Sequence, residues 1–336
     1  MAADRTFVTE LATGLGMVGG DDLASIIARR PTVLANLGMD DWERLTLLWR
    51  SRVYNTDFEA GFVNGRAFFA AADALNGRRP RVVEWTGGRR APGDEVVPSD
   101  LRVDHVYLVS CKYLSRVLHN PSPARLVEGL LTQAPVDDAR DWYQRVAPVE
   151  HQDLYQACAD AVECGPLPPL VSDLLRPKRQ QLAEALRGGW PKDAVPAYAR
   201  LCSVVAEATA KLWSSRVNRQ NAEAIVWRLL RIGSAPYFIL GASSYGSMRL
   251  RIDTPWDWKQ VYRLRRFEIA PQVGGQPRVQ WAAVYEVRRT AEERTVHGHI
   301  EIRWSHGRFG QPPEAKVYLD SAHEDVPGYH PLEQPS

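Results

Sequence analysis

The side chains best suited to chemistry lie in residues 98–113, where an acid, Asp100, precedes a lysine, Lys112, at the end of an apolar run. β-branched and aromatic residues, without an intervening glycine or proline, predict a strand from His105 to Tyr113. Apolar residues at both odd and even positions indicate that both faces of this strand are covered, as in the centre of a sheet. A lysine in such a strand is costly unless it meets an anion, a metal-bound water or a carboxylate. Only 6 of the 42 basic residues are lysines. We therefore expect a chemical role for the compact, titratable ammonium of Lys112.

Two aspartates precede this strand, and chain geometry distinguishes them. If the strand began at Asp104, Asp104 and Lys112 would lie ~25 Å apart, at ~3.3 Å per residue. A tight reversal near Val103–His105 would instead place Asp100 beside Ser110 on the returning strand, within reach of one bound ion. We therefore expect Asp100, rather than Asp104, to share a site with Lys112.

The segment Pro98-Ser99-Asp100, followed after nine residues by Ser110-Cys111-Lys112, resembles the signature of the PD-(D/E)XK nuclease superfamily. Asp100 matches the motif aspartate and Lys112 the motif lysine. Ser110 stands where the family usually has Glu or Asp, which resembles the Ser-x-Lys variants of some restriction-endonuclease-like branches. The resemblance covers about 60 residues, from Glu59 to Leu118. It implies a nuclease-like α/β core with a mixed sheet.

The resemblance implies a metal-dependent DNA endonuclease of restriction or phage-defence type, which hydrolyses phosphodiester bonds with Mg²⁺ or, as a substitute, Mn²⁺. Asp100 and the backbone carbonyl of Cys111 would hold the ion, because Mg²⁺ prefers oxygen ligands. Lys112 would position or deprotonate the attacking water. A homodimer would allow one site per chain to cut both DNA strands.

The serine at position 110 leaves such a site short of negative charge, since a hydroxyl is a far poorer ligand than a carboxylate. Two acids are candidates to supply it. Glu84 lies within a short apolar strand, where a carboxylate needs a partner. Glu59 lies on the predicted helix Asn55–Leu75, and members of the family often carry a supporting acid on the helix before the first strand. The alternative is a catalytically inactive, nuclease-like nucleic-acid-binding or scaffold protein.

Several polar and cationic side chains are candidates for contacts with DNA. Arg89 and Arg90 lie among glycines, where backbone could approach a phosphate, and Arg116 and Asn120 follow the lysine-bearing strand. In the C-terminal part, arginines that alternate with apolar residues predict solvated strand faces, and these arginines are Arg249, Arg251, Arg263 and Arg265. Tryptophans nearby favour a nucleic-acid platform, whereas interspersed acids favour an ordinary mixed-charge surface.

The composition narrows the class of protein. Apolar content of 45% and charged content of 24% are typical of a soluble globular chain, and a net charge of +2 confines any nucleic-acid binding to local patches. The four cysteines form no C-x-x-C pair, which argues against a structural zinc site. Nucleotide-binding glycine motifs and a G-x-S-x-G elbow are missing from the sequence. Without an 18-residue apolar run or a leader, we expect a cytoplasmic protein that does not enter a membrane.

Periodicity predicts an α+β fold in three parts. Residues 1–134 form the nuclease-like core, after a small, glycine-rich and frayed start at residues 1–20. Residues 135–235 carry helical periodicity almost throughout. From residue 236 the period changes to 2, which predicts an antiparallel β domain over 236–336 that contributes target recognition.

Overall fold

The computed structural model describes residues 2–20, 22–87, 99–113, 117–130, 141–233, 236–243, 246–272 and 274–332. It has an α+β fold with a mixed sheet and a C-terminal antiparallel sheet, which confirms the predicted fold class. The chain forms two compact units. Unit 1 comprises Met1–Arg116, Arg231–Val261 and His323–Ser336, and unit 2 comprises Val117–Leu230 and Tyr262–Ala322.

The helices and strands follow one another along the chain in an order that alternates between the two units. In chain order they are α1 (Ala2–Val18), α2 (Leu23–Arg29), β1 (Leu34–Ala35), α3 (Met39–Ser51), α4 (Asn55–Ala70), β2 (Val83–Trp85), β3 (Leu101–Val103), β4 (Tyr107–Tyr113), β5 (Val117–His119), α5 (Pro123–Val127), α6 (Trp142–Val146), α7 (Pro148–Ala161), α8 (Arg176–Ala185), α9 (Val195–Arg216), α10 (Ala222–Leu229), β6 (Tyr237–Ser243), β7 (Gly246–Ile252), α11 (Pro255–Val261), β8 (Tyr262–Gln272), β9 (Arg278–Val287), β10 (Glu292–Arg303), β11 (Glu314–Leu319) and β12 (Tyr329–Pro331).

The described strands of unit 1 form a seven-stranded mixed sheet in the order β1-β2-β3-β4-β6-β7-β12. Strands β2, β3 and β4 form an antiparallel meander, and β6 pairs parallel with β4. The turn between β3 and β4 has positive φ at Asp104 (50°) and His105 (61°), and Val106 N donates to the carbonyl of Val103 at 3.0 Å. Two successive residues with positive φ give the tight turn that suits the twist of a hairpin. The predicted reversal at this point is therefore present.

Helix α1 packs on the sheet and against α4, so the prediction of a frayed start at residues 1–20 is wrong. Its apolar face is buried, with Val8, Leu11 and Leu15 fully enclosed. The two helices approach closely because glycines line their contact: a Cβ on Gly65 would clash with the carbonyl oxygen of Thr13. Small, glycine-rich composition thus reflects close helix packing here rather than a disordered terminus.

Among the described residues, no single helix combines the length and the apolar character needed to cross a membrane. Asp4–Val18 and Leu23–Arg29 meet the criterion only as a pair bent by 92°.

Unit 2 is built on a five-stranded antiparallel sheet, in the order β5-β11-β10-β9-β8 within the described part of the chain. Buried aromatic side chains tie its helices together and to the sheet. Trp142 Nε1 donates to Thr209 Oγ1 at 3.0 Å, and the Tyr143 hydroxyl donates to the carbonyl of Ile302 at 2.7 Å. Helix α9 packs along β8 and β9.

The structure divides the chain differently from the three predicted parts. Among the described residues, 141–233 are mostly helical and those from 236 onward are rich in strands, as predicted, but the strands after residue 236 do not form one separate antiparallel domain. Strands β6, β7 and β12 belong to the sheet of unit 1, and β8–β11 belong to that of unit 2. A period of 2 indicates a strand and its faces, but it does not identify the neighbouring strand.

A candidate active site at the open end of a hairpin

Asp100 lies at the end of the β3–β4 hairpin away from its turn, which we call the open end. Its backbone N–H donates to the carbonyl of Val109 at 2.8 Å, which continues the antiparallel ladder by one residue. Its carboxylate oxygen Oδ2 accepts hydrogen bonds from the N–H of Cys111 at 2.6 Å and from the Ser110 hydroxyl at 3.1 Å. The hairpin thus brings Asp100 to the strand that carries Lys112, as the sequence predicts.

A second acid, Glu10 of α1, interacts with this end of the hairpin. Its Oε2 accepts a hydrogen bond from Trp85 Nε1 at 2.7 Å. Burial and, after it, the charge of Asp100 raise the pKa of Glu10 to about 7, against the opposing effects of the hydrogen bond from Trp85 and of the charge of Lys112. The Glu10 carboxyl is therefore close to half-protonated at neutral pH, because burial and a neighbouring negative charge both disfavour its ionised form.

Lys112 supplies the positive charge of the open end. Burial lowers the pKa of its ammonium, whereas the charges of Asp100 and Glu10 act in the opposite direction. Its backbone is held by an unusually close approach of β6: Lys112 pairs with Gly241, and a Cβ at position 241 would clash with the Lys112 carbonyl. The backbone of Lys112 is therefore fixed by the pairing of β4 with β6.

A polar network supports β4 beside the active-site candidates. The hydroxyls of Thr13 and Tyr113 lie 3.0 Å apart, and Asn64 Nδ2 donates to the Tyr113 hydroxyl at 3.1 Å. Arg249 Nε in turn donates to Asn64 Oδ1 at 2.8 Å.

Burial raises the pKa of the Cys111 thiol well above its ordinary value, so the sulfur stays protonated. The metal-binding atom predicted at Cys111 is its backbone carbonyl, and this prediction does not involve the thiol.

The two acids predicted to supply extra charge lie elsewhere. Glu84 accepts from Arg102 Nε at 2.7 Å, and His105 Nδ1 lies 3.0 Å from the same carboxylate oxygen. The hydrogen bond from Arg102 lowers the pKa of Glu84. Glu59 is exposed on α4. Glu10 was not predicted as a site residue, because no helix was expected in the segment that carries it. The spacing of the apolar residues Phe7 and Leu11 is nevertheless that of one helix face.

The predicted DNA-binding arginines fall into two groups. Arg249 and Arg251 were expected on a solvated face, but both are half-buried in unit 1, where the Arg251 guanidinium lies 3.5 Å from Asp253 and 3.6 Å from Asp73. The buried carboxylate of Asp253 and the buried amide of Asn64 account for this difference, since each lies beside one of the two arginines. Arg263 and Arg265 are exposed on β8 of unit 2, as predicted, and Arg265 pairs with Glu286.

The remaining predicted contacts lie in or near loops. Asn120 Nδ2 donates to Glu314 Oε2 at 3.1 Å within unit 2. Arg89, Arg90 and Arg116 lie outside the described residues, as does Pro98 of the motif.

The oxygen donors at the open end suit a hard divalent cation. Asp100 and Glu10 are two interacting carboxylates: burial and, after it, the charge of Asp100 raise the pKa of Glu10, and a bound cation would offset the second of these effects. Within the described part of the chain, no group of three or more His, Cys, Asp and Glu side chains is arranged to hold a metal ion. The candidate oxygen donors at the open end are the carboxylates of Asp100 and Glu10 and the backbone carbonyl of Cys111.

Comparisons with protein-family models, with characterised proteins and with solved structures find no significant match to this chain.

Proposed function

We propose that unit 1 is a metal-dependent endodeoxyribonuclease of the kind used in restriction or phage defence, related to the PD-(D/E)XK nucleases. The observation that supports this proposal is the meeting of Asp100, Glu10 and Lys112 at one end of the hairpin, where burial and the charge of Asp100 raise the pKa of Glu10 and burial lowers the pKa of Lys112. Perturbed acids and bases that share a site are typical of catalytic centres. Buried charge without full compensation is costly to a fold, which favours a functional reason for keeping it.

Asp100 and Glu10, with the carbonyl of Cys111, would hold Mg²⁺ or Mn²⁺. When bound, such an ion polarises the scissile phosphate and stabilises the charge that develops on it. Ser110 does not replace the missing acid as a ligand. Its hydroxyl donates to Asp100 Oδ2 at 3.1 Å and so orients that carboxylate.

Lys112 would act on the attacking water. Burial lowers the pKa of its ammonium, so the proton leaves Nζ more readily than from an exposed lysine. In its neutral form Lys112 can accept a proton from water, and in its charged form it can orient water or the phosphate. An arginine could not take the first role, because its guanidinium remains charged.

The second candidate function is a nuclease-like nucleic-acid-binding or scaffold protein that does not cleave. Ser110, in place of the usual acid, favours this alternative, because it leaves two carboxylates at the open end. The two functions differ in their prediction for divalent cations: the scaffold takes up none through Asp100.

Plasmid cleavage in Mg²⁺ tests the proposal. Lys112→Ala should lower the cleavage rate by about 100-fold or more, in keeping with the contribution of a proton-transfer group. Asp100→Ala should lower it at least as much, because it removes a metal ligand. Glu59→Ala, which removes an exposed helical acid, should leave the rate within about twofold. Thermal unfolding of each variant checks that it folds. Unchanged cleavage in both the Asp100 and Lys112 variants would overturn the assignment.

Recognition of DNA would involve the exposed arginines of β8. Arg263→Ala should weaken DNA binding and lower the dependence of log affinity on log salt by about 0.9, the contribution of one phosphate contact. Arg249→Ala should act instead through the stability of unit 1, because Arg249 is bonded to Asn64. An unchanged salt dependence in Arg263→Ala would exclude that arginine from the DNA contact.

A further inference from the structure

Unit 2 contains a cavity of about 1120 Å³ that the proposed nuclease site does not use. Its walls come from α8 and the segment that follows it, from Tyr198 of α9, and from residues 303–312 between β10 and β11. Small-molecule sites in proteins typically measure roughly 300–1,000 Å³. The cavity is therefore large enough for a ligand of nucleotide size or somewhat larger.

The lining of this cavity carries a surplus of positive charge. Glu184, its one lining acid, is paired with an arginine of the same wall, Arg187. Within the part of the chain that the structure describes, Arg176 and Arg308 form no ion pair with a carboxylate. The lining arginines are Arg176, Arg179, Arg187, Arg303 and Arg308. Two of them lie near carboxylates outside the lining, Arg179 at 3.9 Å from Asp141 and Arg303 at 3.3 Å from Glu301. The guanidinium groups of Arg176 and Arg308 therefore remain to bind an anion with more than one acceptor oxygen, such as a phosphate.

One of these arginines is held against an aromatic ring. The Arg308 guanidinium lies over the Trp190 ring, 4.7 Å from its centroid, and also donates to the carbonyl of Leu186. Trp190 is itself fixed by Tyr198, with ring centroids 4.5 Å apart, and by Trp304 at 5.8 Å. A guanidinium held in this way is a preorganised planar cation. Such a group can stack on a nucleobase or bind a phosphate by paired hydrogen bonds.

We propose that this cavity binds a nucleotide, with its phosphate at Arg176 and its base against the Arg308–Trp190 pair. Charge and planarity together point to this class, because an inorganic anion would not use the aromatic wall and a neutral aromatic compound would not use the arginines. The nucleotide is either free or part of a single strand. The inference does not depend on the nuclease activity of unit 1.

Binding to the full-length protein in EDTA, where metal-dependent cleavage is suppressed, tests this proposal. The probe is a fluorescently labelled 12-nucleotide single strand, with adenosine monophosphate and inorganic phosphate as competitors. Arg176→Gln should weaken binding at least fivefold. Lys178→Gln, which removes a cation from the same helix but not from the cavity lining, should change it by less than twofold. Arg308→Gln, in a variant that unfolds like the wild type, should match Arg176→Gln.

The competitors distinguish the two sources of the nucleotide. If adenosine monophosphate displaces the labelled strand at a concentration well below that required of inorganic phosphate, the result supports a free nucleotide. If the mononucleotide does not displace the strand, the result supports a single strand. Absence of binding, equal effects of Arg176→Gln and Lys178→Gln, or equal competition by phosphate and mononucleotide overturns the proposal.

Discussion

The acids that lie beside the two ends of the β3–β4 hairpin, Glu84 of β2 and Glu10 of α1, have pKa values shifted in opposite directions. At the turn, Glu84 is paired with Arg102 and His105, and the hydrogen bond from Arg102 lowers its pKa. At the open end, burial and the charge of Asp100 raise the pKa of Glu10 to about 7, and burial lowers the pKa of Lys112. The first arrangement is typical of an ion pair that stabilises a fold, and the second is typical of a functional site.

The two aspartates of the hairpin follow the same division. Asp104 accepts hydrogen bonds from the backbone of Arg81 at 2.6 Å and Val82 at 3.1 Å, and from the Arg78 guanidinium at 2.6 Å. Burial acts to raise the pKa of Asp104, but these hydrogen bonds outweigh it and lower the pKa. Asp104 therefore fixes the turn, whereas Asp100 faces the acid and the lysine of the open end.

Of the substitutions that test the contrast between the two ends, Gly241→Ala should have the largest effect on stability. A methyl group at position 241 would clash with the backbone carbonyl of Lys112, so the pairing of β4 with β6 must shift. We expect the free energy of unfolding to fall by about 3 kcal/mol, the upper range for overpacking, together with cleavage activity. Gly188→Ala is the matched control, since an added Cβ there meets no neighbour within 4 Å. A Gly241 variant as stable as this control would contradict the described strand approach.

Glu10→Gln should stabilise the protein in alkaline solution. The folded-state pKa of Glu10, about 7, lies above the ordinary value of 4.5, so ionisation of this group destabilises the fold as the pH rises from 4.5 through 7. Glutamine removes that penalty and can still accept the hydrogen bond from Trp85. The gain in free energy of unfolding should be about 2 kcal/mol larger at pH 8 than at pH 5. Urea denaturation at both pH values measures it, and a gain independent of pH would contradict the raised pKa.

Glu84→Gln should have the opposite sign and a smaller size. Because Arg102 lowers the folded-state pKa of Glu84, its ionised form stabilises the fold at neutral pH, and this stabilisation is lost as the pH falls below the ordinary value of 4.5 and through the lowered pKa. We expect the free energy of unfolding to fall by about 1 kcal/mol at pH 7, as for a partly exposed ion pair, and the difference to shrink at acidic pH. Urea denaturation at pH 7 and pH 4 provides the test. A stabilising effect would remove the contrast between the two ends.

The hairpin and its aspartate could be predicted from the sequence because the information is local. A β-rich run, a lysine and two aspartates at known spacing leave few geometries that bring an acid to Lys112. Asp100 and Ser110 consequently lie where the spacing places them. The same applies to most helices and strands, whose periodicity is a property of neighbouring residues.

Glu10 and the division into units could not be predicted in the same way, since both depend on contacts between distant segments. The site acid comes from α1, whose glycines signal close packing only once α4 is known to be its partner. Strand β6 pairs with β4 although the chain of unit 2 from Val117 to Leu230 lies between them. The pattern of β6 shows that it is buried, but it does not show which strand it joins.

Calorimetric titration with Mg²⁺ and Mn²⁺ tests the central claim most directly, because it examines the open end without requiring a DNA substrate. The wild-type protein should take up a divalent ion with proton release near pH 7, as ion binding ionises Glu10. Asp100→Asn and Glu10→Gln should each weaken this uptake at least tenfold, whereas Glu84→Gln and Glu59→Gln should leave it unchanged. Uptake that is equal in all four variants, or no uptake by the wild-type protein, would contradict a metal-dependent site at Asp100 and Glu10.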